Sequence, residues 1–213
     1  PDYLVVHKSI KGTLIKELIN RIEKTFGKQL EKTDDFTAIV NEKNFNRLVS
    51  LINKNKLIYG GKYDQVKRYI SPTIIDSPEM DEEIMKDEIF GPILPILSFE
   101  KIEDIDEIIN KNPNPLALYV FSNNKKFNEI IINRYPFGGG AVNDTIVHLA
   151  NSRLPFGGIG SSGIGSYHGK ASFELFSHKK SVVRRSTWFD NNLRYAPYKN
   201  KLGLVRKIMK YLG

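Results

Sequence analysis

Apolar positions along the chain fall into short runs that alternate between two periods. Tyr3-Leu4-Val5-Val6 reads as a strand. From Gly12 to Phe26 the apolar residues Leu14, Ile15, Leu18, Ile19, Ile22 and Phe26 recur every three or four positions, which predicts an amphipathic helix stopped at Gly27. Phe45, Leu48, Val49 and Ile52 predict a second helix over 44–53. Lys56–Tyr59 reads as a short strand ended by Gly60-Gly61, and Val66–Ile75 as a strand interrupted at Pro72. The run Pro92–Phe99 is a mostly apolar strand. Ile102, Ile105, Ile108 and Ile109 predict a helix, Leu116–Phe121 a strand, Phe127, Ile130 and Ile131 a helix, and Gly138–Asn143 another strand.

Strands that alternate with helices predict βαβ units. The expected fold is therefore α/β: an open, mostly parallel sheet with helices on both faces. Beyond about residue 145 the alternation stops. A loop carrying Gly157, Gly158, Gly160, Gly163 and Gly165 leads to a short helix near 169–176, a strand at Lys180–Arg184 and a last helix at Leu202–Leu212.

Charge divides the chain at Ser177. Residues 1–177 hold 22 basic and 23 acidic side chains, whereas 178–213 hold ten basic residues and one acid, Asp190. The net charge of +8 thus belongs to a tail of +9 on a nearly neutral body. Two parts are expected: 1–177 as an α/β catalytic-domain portion, and 178–213 as a basic oligomerisation strand with a helical tail.

The chemistry available is narrow. The 213 residues include no cysteine, which excludes disulfides, thiolate metal sites and a thiol nucleophile within this sequence. No H-x-x-x-H or H-E-x-x-H pair supports a catalytic zinc, and no metal is expected. Gly158, Gly160 and Gly163 satisfy G-x-G-x-x-G, but Pro155 precedes them and no acidic residue follows at the right distance. A loop of close backbone approach is favoured over a phosphate cradle. Ser161 or Ser162 with His168 lacks the G-x-S-x-G elbow of a serine nucleophile, and polar loop residues are the preferred reading. The acidic stretch 77–88 reads mostly as a solvated helix. Its last member, Glu88, stands before Phe90 at a strand entrance. A carboxylate there can bind a ribose diol, and an adjacent aromatic can pack on a flat ring, although composition alone favours a surface acid beside a core Phe.

Longer motifs carry more. Glu88-Ile89-Phe90-Gly91-Pro92 resembles the E-x-F-G-P signature of aldehyde dehydrogenases. Pro155-Phe156-Gly157-Gly158 through Tyr167-His168-Gly169-Lys170 resembles the P-F-G-G-x-G-x-S-G-x-G-x-Y-H-G-K run of their class 3, fatty-aldehyde-type branch, as do Gly139–Asp144 and Ser172–His178. The opening Pro1-Asp2-Tyr3, which lacks an initiating Met, is similar to the residues that follow the family's catalytic cysteine.

The resemblance implies the C-terminal, catalytic-domain half of an NAD(P)-dependent enzyme that oxidises aldehydes to carboxylic acids through a cysteine thiohemiacetal. It places the nucleophilic Cys, the general-base Glu, the oxyanion Asn and the main NAD or NADP domain upstream of Pro1, so that no catalytic residue lies in this chain and the chain alone is expected to be inactive. It further implies Glu88 and Phe90 as cofactor-binding residues, and Asn143, His148 and Phe156 as support or lining of the aldehyde tunnel. The partners implied are the upstream half of the same enzyme, an aldehyde, and a second copy across the Lys180–Arg184 strand. A severed half is expected to expose apolar surface and self-associate. The expected location is cytoplasmic, with a peripheral membrane contact left open.

Two readings use the tail instead. Leu202, Val205, Ile208, Met209 and Leu212 share a helical face, with Lys201, Arg206, Lys207 and Lys210 elsewhere, the pattern of a basic amphipathic helix at a membrane surface. Docking on the protein's own surface or on a partner is the plainer alternative. Nucleic acid is disfavoured, because apart from Trp188, Phe189, Tyr195 and Tyr198 no aromatic platform accompanies the basic residues.

Overall fold

The computed structural model describes residues 1–213 other than 28, 34, 189, 191, 200 and 213. It forms two compact units, Pro1–Leu175 and Phe176–Gly213.

The first unit is built on a four-stranded sheet. Its strands are β1 (Leu4–His7), β2 (Leu57–Tyr59), β5 (Thr73–Asp76) and β6 (Ile93–Phe99), in the order β1-β6-β5-β2. β6 pairs in parallel with β1 (Leu4 opposite Ile96) and with β5 (Thr73 opposite Ile93), while β2 runs antiparallel to β5. The result is an α/β fold with an open, mixed, mostly parallel sheet. A small hairpin of β3 (Tyr63–Asp64) and β4 (Tyr69–Ile70) stands beside it.

Both faces of the sheet are covered, which is why its central strands read as continuous apolar runs. On one face Val6, Ile74 and Ile96 are buried under α1 (Lys8–Phe26), which contributes Leu14, Ile15, Leu18, Ile19 and Ile22. On the other face Ile75, Ile93 and Leu97 pack with Phe45 and Leu48 of α2 (Glu42–Ser50). Asn41 caps α2, its side-chain oxygen accepting from the Asn44 N–H at 2.8 Å. α1 ends at Gly27, whose φ of 78° permits the turn and whose N–H reaches the Glu23 carbonyl.

A second, two-stranded parallel sheet joins β7 (Ala117–Val120) to β8 (Gly139–Val142). α3 (Ile102–Lys111) and α4 (Lys125–Arg134) supply Ile105 and Ile131 to a core that also buries Val120 and Tyr135. Arg134 grips Asp106 with two parallel N–H donations, and the Tyr135 hydroxyl donates to the same carboxylate at 2.8 Å. The unit closes with α5 (Val147–Ala150) and α6 (Gly169–Leu175). In the second unit α7 (Leu202–Leu212) is the main helix.

Two expectations need correction. The acidic stretch 77–88 is not a helix. It is irregular with a single 3-10 turn at Glu83–Met85, because Ile84 and Met85 turn into the core while Glu82 pairs with Lys56 at 2.5 Å. Val66–Ile75 is not one strand, since a turn at residues 65–68 separates β3 from β4 and Pro72 lies between β4 and β5. Residues 180–184 are unpaired within the single chain and Val182 and Val183 are exposed, as a strand whose neighbour would come from a second copy requires.

Candidate active site

Glu88 and Phe90 occupy a turn that leads into β6, and the turn is held from behind. Ile89 is anchored in the core at 2% exposure. Its N–H donates to Asp2 Oδ1 at 3.0 Å, and its carbonyl accepts from an Arg47 guanidinium N–H at 2.6 Å. Gly91 lets α2 come close, for a Cβ there would sit 2.5 Å from a Leu48 methyl. With its neighbours fixed on both sides, Phe90 adopts a left-handed φ of 50°, uncommon for a bulky residue, and points its ring outward at 75% exposure. Phe90 also borders an open cleft of about 710 Å³ whose other walls include Phe36, Ile39, Val40, Asn44 and Arg47.

Glu88 is exposed on the same turn. Partial desolvation, then the neighbouring Asp2 carboxylate, push its carboxyl above the ordinary glutamate value. An aromatic ring and a carboxylate are thus displayed side by side on a rigid turn. Both are exposed to solvent, a pairing chemically suited to a ligand with a flat ring and a diol.

The remaining candidates cluster past β8. His148, on α5, is buried, and its ring lies against Gly139, where a Cβ would stand 2.7 Å from the imidazole. Tyr119 meets His148 edge-on with ring centres 5.6 Å apart, and Phe156 tilts against it at 5.8 Å. Phe156 exchanges two 2.9 Å backbone hydrogen bonds with Tyr167. The Tyr167 and His168 rings continue the chain of contacts, 4.5 Å apart. His148 and Phe156 are therefore brought together. Asn143 makes a different contact: its amide accepts from the Ser122 N–H and donates to the Ser122 carbonyl, tying the end of β8 to the end of β7.

Sequence reasoning missed Tyr119, whose place in this cluster depends on the β7–β8 register. It quoted Tyr167 only within a motif. Ile146 was also missed. It is β-branched yet left-handed at φ 65°, a strained position that forces the sharp entry into α5.

The glycine-rich loop makes close backbone approaches. A Cβ on Gly157 would lie 2.1 Å from the Gly165 carbonyl oxygen, and one on Gly158 would lie 2.2 Å from that of Ser162. A single 3-10 turn follows instead of a long helix. Ser161 donates to the Pro113 carbonyl and Ser162 to that of Ile159, while the His168 ring faces the Leu154 carbonyl, so no serine–histidine dyad forms.

The aldehyde dehydrogenase family profile matches residues 1–182. The chain belongs to the aldehyde dehydrogenase family. It is 43% identical over 212 residues to the 4,4'-diaponeurosporen-aldehyde dehydrogenase of Staphylococcus aureus, covering 99% of this chain and 46% of that protein. It is 40% identical to the dimeric, NADP-preferring aldehyde dehydrogenase of Mus musculus, covering 95% of this chain and 45% of the relative. A substrate-bound structure of Staphylococcus aureus AldH superimposes with a TM-score of 0.86 at 43% identity, over 98% of this chain and 46% of that one. The chain thus spans under half the length of these family members. Among the described residues no helix is long and apolar enough to cross a membrane.

Proposed function

We propose that this chain forms the nicotinamide-facing wall and part of the aldehyde pocket of an NAD(P)-dependent enzyme that oxidises aldehydes to carboxylic acids. The observation that carries the reading is the Glu88–Phe90 turn, which presents a carboxylate and an exposed ring from a backbone pinned by Asp2 and Arg47. Glu88 accepts two charge-assisted hydrogen bonds from the ribose hydroxyls, and Phe90 packs beside the nicotinamide. NAD(P)+, when bound, supplies the hydride acceptor. The aromatic cluster of Tyr119, His148 and Phe156 stiffens the loops that border the aldehyde, and Asn143 fixes the β8 exit by holding Ser122.

The attacking thiol cannot come from this sequence, which contains no cysteine. The general base and the oxyanion donor belong with that thiol on the part of the enzyme that this chain does not contain. The chain alone therefore positions ligands without turning them over. The full assembly is a dimer in which residues 180–184 gain a neighbouring strand, and the exposure of Val182 and Val183 supports that pairing.

The test joins this chain to the segment that its Staphylococcus aureus relative has and this chain lacks. NADH formation from an aldehyde is expected from the fusion and absent from the chain alone. In the fusion, Glu88→Gln raises the KM for NAD+ by roughly tenfold, the loss of one charge-assisted hydrogen bond. Turnover by the pure chain, or an unchanged KM in the variant, overturns the reading.

A further inference from the structure

The His148 ring is buried, and among the described residues neither of its nitrogens has a hydrogen-bond partner. A neutral imidazole carries one donor and one acceptor, and leaving both unpaired away from water is costly. The box around the ring offers nothing better. Tyr119 of β7 and Phe156 present aromatic carbon to it. Gly139 of β8 stands so near that a Cβ there would lie 3.2 Å from Nε2.

A second proton makes the position worse. An imidazolium has two N–H donors and a full charge, and a buried charge needs acceptors or a counter-ion. β8 (Gly139–Val142) brings no titratable group, and β7 brings only the Tyr119 phenol. Beyond α5 come Tyr167 and His168, whose rings contact Phe156. A protonated His168 would repel a second cation. Asp144 and Arg153, the charges nearest in the chain, are exposed, and the Asp144 carboxylate accepts from the Thr145 N–H.

The backbone is also set to move. α5 is only four residues long, and it is entered through Ile146, left-handed at φ 65° and exposed to solvent. Such a conformation persists only while its surroundings hold it. Turning α5 outward relieves it and delivers the ring to water, where an imidazole takes its second proton near pH ~6.5.

We propose that His148 is an acid-sensitive latch on the lobe formed by residues 139–168. Neutral, the ring packs between Tyr119 and Phe156 and keeps α5 against β8. Protonated, it leaves the box and frees α5. Opening takes up one proton, so the advantage of the closed form is complete above about pH 6.5 and is lost as pH falls, tenfold for each further unit. The proposal does not depend on the dehydrogenase reading.

The test is amide hydrogen exchange of the 213-residue chain from about pH 7.5 to about pH 5, a range above the ordinary carboxylate values. The reporters are Leu149 and Ala150, whose N–H groups donate to the Ile146 carbonyl, and Phe156, whose N–H donates to that of Tyr167. Corrected for intrinsic rate, their protection should fall roughly thirtyfold by about pH 5, while Val6 and Ile96 of the four-stranded sheet keep theirs. His148→Phe keeps a ring and removes the proton site, so the pH dependence should vanish. His148→Gln serves if circular dichroism shows that the first variant misfolds. His168→Gln should leave the thirtyfold change in place. Flat protection in the native chain overturns the proposal, as does a pH dependence that survives in His148→Phe. Loss of the dependence in His168→Gln overturns it in favour of that histidine. An equal fall at Ile96 and Leu149 overturns it in favour of global acid unfolding.

Discussion

The four-stranded sheet and the glycine-rich loop are both rigid, but by opposite means. In the sheet, Ile74, Ile75 and Ile96 are essentially inaccessible, and their side chains fill the space between backbone layers. In the loop and at the β8 strand beside it, Gly138, Gly140, Gly157 and Gly158 bring backbone against backbone by having no side chain at all. Stiffness of the first kind is gained atom by atom with buried hydrocarbon. Stiffness of the second kind fails all at once when a single carbon is added.

Deleting side-chain volume should do the greatest harm in the sheet. Ile96→Ala, fully buried at the centre of the β1-β6-β5 ladder, is expected to cost about 4 kcal/mol in urea unfolding. The converse change probes the second region. A Cβ at Gly140 would lie 2.1 Å from the Leu118 carbonyl oxygen, and backbone cannot move aside as a side-chain tip can. Gly140→Ala should cost roughly 3 kcal/mol and loosen the β7–β8 pair, read by amide exchange at Val120 and Val142. Near-neutral behaviour of Gly140→Ala would erase the contrast.

A smaller effect tests the core that borders β7. Tyr135→Phe removes one hydrogen bond to Asp106 and should cost about 1 kcal/mol. Burial first, and the bond to Asp106 second, push the Tyr135 hydroxyl up to about 12. A raised acid pKa means the neutral form is the one favoured by folding. This contribution is therefore complete below the ordinary tyrosine value of 10.0 and lost as pH climbs through about 12. The unfolding curves of the native and Tyr135→Phe proteins should converge over that interval. At the acid end, Arg134 first and Tyr135 second hold Asp106 below the usual aspartate value, so its contribution is complete above the usual value and is lost as pH falls from there through the depressed one.

The smallest effect has the opposite sign. Gly12 lies inside α1 with open space where a Cβ would go. Gly12→Ala should stabilise by about 0.8 kcal/mol, measured as a rise in thermal midpoint. The same substitution thus separates a glycine required by close approach from one that is not.

The same division decides what the sequence could tell. Elements that bury side chains were legible: the apolar spacing finds β6, α3 and β7 to within a residue or two. The acidic stretch misled because six carboxylates between Glu79 and Glu88 hide the burial of Ile84 and Met85. Residues 180–184 have strand composition but no strand, since pairing needs a neighbour. At the candidate site, Glu88 and Phe90 could be named only through a motif. Their value lies in a left-handed φ and two backbone tethers, neither of which has a periodicity. The Tyr119–His148 contact joins positions 29 apart, and no local pattern encodes it.

The register of β1 also sets an order of events. Leu4 pairs with Ile96 and His7 with Phe99, so β1 must wait some ninety residues for its partner within this segment. During synthesis α1 must wait for the same moment, since the sheet face that shelters Leu14 and Leu18 includes Ile96. A growing chain thus carries an uncovered amphipathic helix and an unpaired strand edge while residues 27–92 are being added. Such high contact order slows folding and exposes the nascent polypeptide to chaperones and to aggregation. Yield on expression should therefore respond more to temperature and translation speed than the stability of the finished sheet would suggest.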